Sequence, residues 1–389
     1  MRALACIFRW SAGMFLALAV AALFISFAAG PGCSRRRGVE IYRDGDVTVV
    51  HNPEQPSPER GGPSRLFLKE ALVIGKTTGP VGTIFATLDS LGVDDEENIW
   101  ALDRKDAEIR VFDKNGGLLR SFGRRGQGPG ELESPGGMFV RSDGTAAVLD
   151  QSAQKVVFYD GRGKLLRTVT TTMPRPQLGI KIDSRGSIYG VSVRPREWKF
   201  MTYRLYKYDR EMTPLEKLVE YEEPYEREVI NAVDNTLTFH LTRDNRMIWM
   251  TTAKYEFHVL DPEGREIRRI VKDFSPLRVS ADARKALLQE ITGGQPLPPP
   301  LRIVFPKYYP PVDRFIGDEE GRLFVRTYER DGRGGVWFDA FDGDGRCITR
   351  FSFPESERAV IVEKGKLYAI VEEDEHGSPL IKRYTLDWK

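Results

Sequence analysis

The stretches GVDDEENIWALDRKDAEIRVFDKNGGLLRSFG (residues 92–123) and FVRSDGTAAVLDQSAQKVVFYDGRGKLLRTV (residues 139–169) say nearly the same thing twice. In each, a short apolar strand meets an Asp/Gly turn and a second strand ends in aspartate, Asp103 or Asp150. A third strand then ends in an aromatic residue plus aspartate, Phe112-Asp113 or Tyr159-Asp160, and a glycine turn leads into a fourth. Ile109 and Val111 alternate with Arg110, the two-residue period of a strand, and the Asn-Gly and glycine-rich turns supply the positive φ that tight hairpins need. The unit is an antiparallel meander of four strands.

The second-strand phrase recurs as SIYGVS (187–192), MIWMTT (247–252), LFVRT (323–327) and LYAIV (367–371). Its aromatic slot reads Trp100, Tyr189, Trp249, Phe324 and Tyr368, with Ala147 as the exception, and Gly144, Gly186, Gly321 and Gly365 each stand three residues before a slot. The aspartates that close third strands, Asp113, Asp160, Asp209, Asp261 and Asp342, lie 47, 49, 52 and 81 residues apart. One such sheet cannot bury both its faces alone, so copies must stack, and a period of this length is that of a propeller blade. The sequence therefore predicts an all-β fold, a six-bladed β-propeller of four-stranded antiparallel blades.

IWALD (99–103), IRVFDKNG (109–116) and above all FGRRGQGPGELESPGGMFV (122–140) resemble the NHL-repeat type of six-bladed β-propeller, in a divergent form found in bacterial exported proteins. The resemblance covers residues 66–389, most sharply in the first two blades. It implies a fold. Such propellers host binding, scaffolding and a few enzymes, so function has to be read from a site.

Residues 1–32 read as a signal peptide or membrane anchor, with Arg2 and Arg9 before the apolar run Ser11 to Gly30. Cys33 then follows small residues, as in the lipobox of bacterial lipoproteins, and is the candidate lipid-attachment residue, although Gly30 and Pro31 depart from that pattern. Lipoprotein, cleavage near Ser26-Phe27-Ala28 and an uncleaved span all stay open, and Arg35, Arg36 and Arg37 weigh against export. The expected location is the cell envelope, on the periplasmic or surface side and attached to the membrane.

The first 37 residues hold five arginines and no acid, so the remainder is slightly acidic, which argues against a nucleic-acid partner. Cys347, in a blade-five strand, reads as a small apolar residue. Residues 33–65 form a tether with a short hairpin, IYRDGDVTVV, at its start. The propeller then occupies 66–389. Its last repeat supplies three strands before the chain ends, so an N-terminal strand near Ala71 to Ile74 is expected to complete that sheet and close the ring.

Four features decorate the repeat. Arg124 and Arg125 open a glycine-rich crossover (124–131) and could bind an anion; a dinucleotide loop would need a helix after it, and Pro129 and a strand follow instead. Trp198 lies in an aromatic widening of blade three, a candidate sticky loop. An insertion over 275–311 carries one helix, capped by Ser280 and stopped by Gly293-Gly294, then a proline-rich arm with Tyr308 and Tyr309 that could dock a partner or cover the channel. Asp342-Gly-Asp344-Gly imitates part of a calcium loop but sits in an ordinary hairpin.

No catalytic set, cofactor motif or metal spacing appears: His51, His240, His258 and His376 are scattered, and the repeat aspartates close turns. The reading is a non-enzymatic binding or scaffold module for a protein, peptide or glycan. Its partner-binding candidates are Arg124, Arg125, Trp198, Tyr308 and Tyr309. The alternative is a metal-dependent lyase or lactone hydrolase with its site in the central channel.

Overall fold

The computed structural model describes residues 38–76, 83–374 and 376–389. Residues 1–32, read above as a signal peptide or membrane anchor, and Cys33 lie outside the described residues. Five four-stranded meanders follow in chain order, over 88–122, 135–170, 180–224, 237–272 and 314–354. The sixth blade joins Glu357–Glu363, Lys366–Val371 and Leu380–Trp388 to Leu66–Ile74, in the order last strand beside N-terminal strand. Ile74 faces Ile381 and Leu66 faces Trp388, so the expected closure of the ring is present and runs longer than 71–74.

Each blade buries both faces against its neighbours, and the core is accordingly divided into six clusters, one per blade interface. The second-strand slot supplies one residue to each: Trp100, Ala147, Tyr189, Ile248, Phe324 and Tyr368. The blade-four slot is therefore Ile248 and not Trp249. Its register is set by the preceding turn, where Thr242 N–H donates to Arg246 O just as Asp94 N–H donates to Asn98 O in blade one. Trp249 points the other way and stacks on His258 at 4.1 Å.

With that register, every inner turn has a left-handed residue at the same place, Glu97, Gly144, Gly186, Asn245, Gly321 and Gly365, at φ between 64° and 90°, and the blade-six turn adds a second, Lys364 at 50°. Glycine meets this demand without a Cβ clash, and asparagine tolerates it next best. Aspartates serve two structural ends. Asp103 and Asp150 accept backbone N–H groups from the incoming link, at 2.7 Å from Ala86 and from Glu133. Asp113, Asp160, Asp209, Asp261 and Asp342 fold third-to-fourth turns; Asp342 accepts from Asp344 and Arg346 N–H at 3.0 and 2.9 Å, which is the hairpin role and not a calcium loop.

The hairpin at the start of the tether forms (Glu40–Asp44 and Val47–Asn52), and its second strand adds in parallel to the outer strand of blade four, Glu266–Lys272. Asn52 is wholly buried there: its Oδ1 accepts from Cys347 N–H at 2.7 Å, and its Nδ2 donates to Gly345 O and Val271 O, pinning blade four to blade five. Cys347 is buried in the core, as expected.

Because the strands of a meander alternate in direction, the inner turns and the third-to-fourth turns leave on one face of the disc, the turn face. Second-to-third turns and the links between blades leave on the other, the link face.

Candidate functional site

All five sequence-derived binding candidates lie on the link face, but they do not form one cluster. Arg124 Nε donates to Glu131 Oε1 at 2.6 Å, and Arg125 donates to Glu133 O and Lys105 O at 2.6 and 2.7 Å. The glycine loop does hold an anion, its own Glu131: Gly128 N–H donates to that carboxylate at 2.9 Å, and a Cβ on Gly126 would stand 2.0 Å from it. The Gly128 N–H and then Arg124 hold the Glu131 carboxyl below its usual range.

Trp198 occupies the turn between Ile188–Arg196 and Phe200–Tyr208, strands of nine residues against five in blade one. It is 59% exposed, leans on Tyr225 and lies under the Arg227 guanidinium. The link that carries Tyr225 continues into Val229–Asn231, which pairs in parallel with Arg302–Val304 of the insertion, while Arg302 and Glu226 form an ion pair of 2.6 Å. Hairpin tip, link and arm are thus one connected surface.

The expected helix spans Ala281–Thr292 with Ser280 as its N-cap and Gly293 in the left-handed conformation, yet none of its residues is buried. It leaves Leu288 exposed. Tyr308 is likewise exposed, with the Lys307 ammonium over its ring, whereas Tyr309 stacks on Tyr328 of blade five at 4.4 Å and anchors the arm. No arm residue lines the channel cavity, so the arm is not its cover.

The channel holds what the sequence reading missed. The innermost strands of all six blades enclose a cavity of about 360 Å³ that opens towards the turn face. One layer of it contains Gly92, Phe139, Lys181, His240, Ile316 and Ile361, each paired across the hairpin with the slot residue of its own blade. Only Lys181 and His240 in this layer are polar, and they sit on adjacent blades. His240 Nε2 lies 2.9 Å from Asp318 O, so that nitrogen donates and Nδ1 is left as an acceptor. Gly317 makes this possible, since a Cβ there would stand 2.5 Å from the imidazole.

Burial, reinforced by the Lys181 charge, drops the His240 pKa to about 3, so its ring is neutral. Burial also lowers the Lys181 pKa, and the Glu363 carboxylate partly offsets it. Glu363 itself is raised to about 7 by burial and by the neighbouring Glu319, against the pull of Arg243, Lys364 and Lys181. Arg243 lies 3.7 Å from Asp95 and 3.9 Å from Glu363, and Lys364 lies 3.3 Å from Asp95, which makes the turn-face mouth a ring of mutually paired charges. Among the described residues no group of three His, Cys, Asp or Glu side chains is placed to hold a metal ion.

The raised Glu363 carboxyl has a measurable consequence. The fold prefers its protonated form, so folding takes up a proton, and this group's penalty grows as pH rises from its ordinary 4.5 through about 7. Glu363→Gln removes that penalty. The stability gap between variant and wild type, measured by urea unfolding at a series of pH values, is expected to widen in the variant's favour over this window and to be flat above it. A gap that does not change with pH contradicts the assignment.

The profile of the DUF5128 family, described as a 6-bladed beta-propeller, matches residues 87–270, the first four blades. No functionally curated protein matches the sequence. Among solved structures, the chain is similar to BF0058 from Bacteroides fragilis NCTC 9343, a protein assumed to be exported: TM-score 0.56 and 12% identity over 87% of this chain and 99% of that one. A DUF4221 member from Bacteroides vulgatus ATCC 8482 matches with TM-score 0.52 and 11% identity, over 84% and 99% of the two chains. A streptogramin B lyase is matched more loosely, at TM-score 0.44 and 12% identity over 83% and 98%, and that likeness carries nothing about activity. What the comparisons establish is the fold: this chain is a six-bladed β-propeller, similar over its first four blades to the DUF5128 family.

Proposed function

We propose that the protein is an exported, membrane-tethered propeller that holds a protein, peptide or glycan on its link face as a binding or scaffold module. The observation that carries this reading is the connected surface of hairpin tip, link and arm, in which Trp198 and Tyr308 stay exposed while their neighbours are fixed by the Val229–Asn231 pairing and the Tyr309–Tyr328 stack. Rigid exposed aromatics beside arginines are the residues that dominate binding energies, because they bury much area at small entropic cost. The apolar run at 11–30 supports the tether, and a fold neighbour assumed to be exported agrees with the envelope location.

The test is the full chain on glycan and peptide arrays, with Trp198→Ala/Tyr308→Ala beside it. The double variant is expected to bind the ligands retained by the wild type about thirtyfold or more weakly, the loss of a hot-spot pair. A double variant that binds like the wild type removes this face from the proposal, and a wild-type chain that retains nothing on either array removes the proposal itself.

A further inference from the structure

We infer that the central channel is a second, separate binding site, built for a small organic carboxylate that also carries hydroxyl groups, with Lys181 as its anion-binding residue. Three basic side chains line the cavity: Arg141, Lys181 and Arg243. Arg141 pairs with Asp143 at 3.5 Å, and Arg243 pairs with Asp95 and Glu363. Among the described residues Lys181 has no ion pair or hydrogen bond; its recorded neighbour is the Phe139 ring, 5.4 Å from the ammonium.

Lys181 is half-buried in the channel wall with no carboxylate in contact, and a desolvated ammonium without a close partner opposes folding, so such a group is retained where something outside the fold needs it. Lys181 also borders two spaces, the cavity towards the turn face and a second one of about 410 Å³ towards the link face.

The neighbours specify the rest of the ligand. His240 offers a bare Nδ1, fixed as an acceptor because Nε2 is committed to Asp318 O. Glu319 is not open to a ligand, since one carboxylate oxygen is taken by Lys364 N–H at 2.9 Å and the other is buried. The His240 Nδ1 acceptor calls for a hydroxyl donor on the ligand. Lys181, His240 and Glu363 come from three blades and line the one cavity. A cavity of about 360 Å³ is at the small end of ligand pockets and suits a single sugar acid or hydroxy acid, not an oligomer.

D-Glucuronate is the probe, with D-glucose as the same ring lacking the carboxylate, and acetate as the carboxylate lacking the ring. Titration calorimetry of the full chain is expected to show saturable D-glucuronate binding, about tenfold or more tighter than either control, since a charge-assisted contact and the hydroxyl contacts are each needed. Lys181→Met is expected to abolish that binding. The same variant is also expected to melt at or above the wild-type temperature without ligand, because it removes a half-buried ammonium that has no close partner.

A lysine with a purely structural role would instead lower the melting temperature when replaced, and that result overturns the inference. So does D-glucuronate binding that is absent in the wild type or survives unchanged in Lys181→Met.

Discussion

Asp339→Ala is expected to lower the unfolding free energy by about 3–5 kcal/mol, the cost of removing one member of a buried ionic group and stranding the others. Asp339 of blade five is 1% exposed, and Lys272 of blade four is 5% exposed. The Lys272 ammonium lies 3.3 Å from Asp339 Oδ2, to which Tyr255 also donates its hydroxyl at 2.5 Å, and Arg350 Nε meets Oδ1 at 2.7 Å. Two cations and a phenol thus converge on one carboxylate across a blade interface. Burial and the Asp339 charge raise the Tyr255 pKa well above its ordinary value, which keeps the hydroxyl a donor.

Urea unfolding of four chains measures the effect: wild type, Asp339→Ala, Lys272→Met and the double variant. In the Lys272→Met background the alanine substitution is expected to cost clearly less, since one of the two stranded cations is gone. Equal costs in both backgrounds would show that the carboxylate acts through packing alone.

Removal of the ring-closing strand is expected to have the other large effect. A chain that starts at residue 62 keeps Leu66–Ile74, and one that starts at residue 76 lacks it; both lack the docked hairpin, so their difference isolates the strand. Leu66 and Ile74 are 6% and 4% exposed, and burying two such side chains contributes about 3–6 kcal/mol. The loss also exposes the backbone of Leu380–Trp388 as a sheet edge nine residues long, an invitation to aggregation.

The shorter chain is expected to melt far below the longer one or to aggregate. Adding residues 62–76 as a separate peptide is expected to restore the transition by strand addition. Matching melting temperatures for the two chains would mean that the ring is held without this closure.

Much of this fold was legible because its determinants are local. The strand period, the aspartates that fold third-to-fourth turns and the Ser280 cap each act within a few residues, and so they can be read in one dimension. Ring closure was legible for a related reason: a sixth repeat one strand short implies a strand elsewhere, and Leu66–Ile74 supplies it.

What the linear sequence obscured was register and convergence. Trp249 looks like the repeated grammar of a second strand, but the turn at Thr242–Arg246 decides the pairing and puts Ile248 in the core. Lys181 stands two residues before Asp183, and His240 two before Thr242, as Gly92 stands before Asp94; only in the closed ring do these positions become one layer around a channel. Likewise Asn52 looks like one residue of a tether until its amide is found bonded to Cys347 and Gly345, about three hundred residues away. By itself the sequence determined the blade, because a blade is local hydrogen bonding and alternation. The tertiary structure decided the site, because a channel exists only where six blades bring side chains from distant segments within reach of one another's charge.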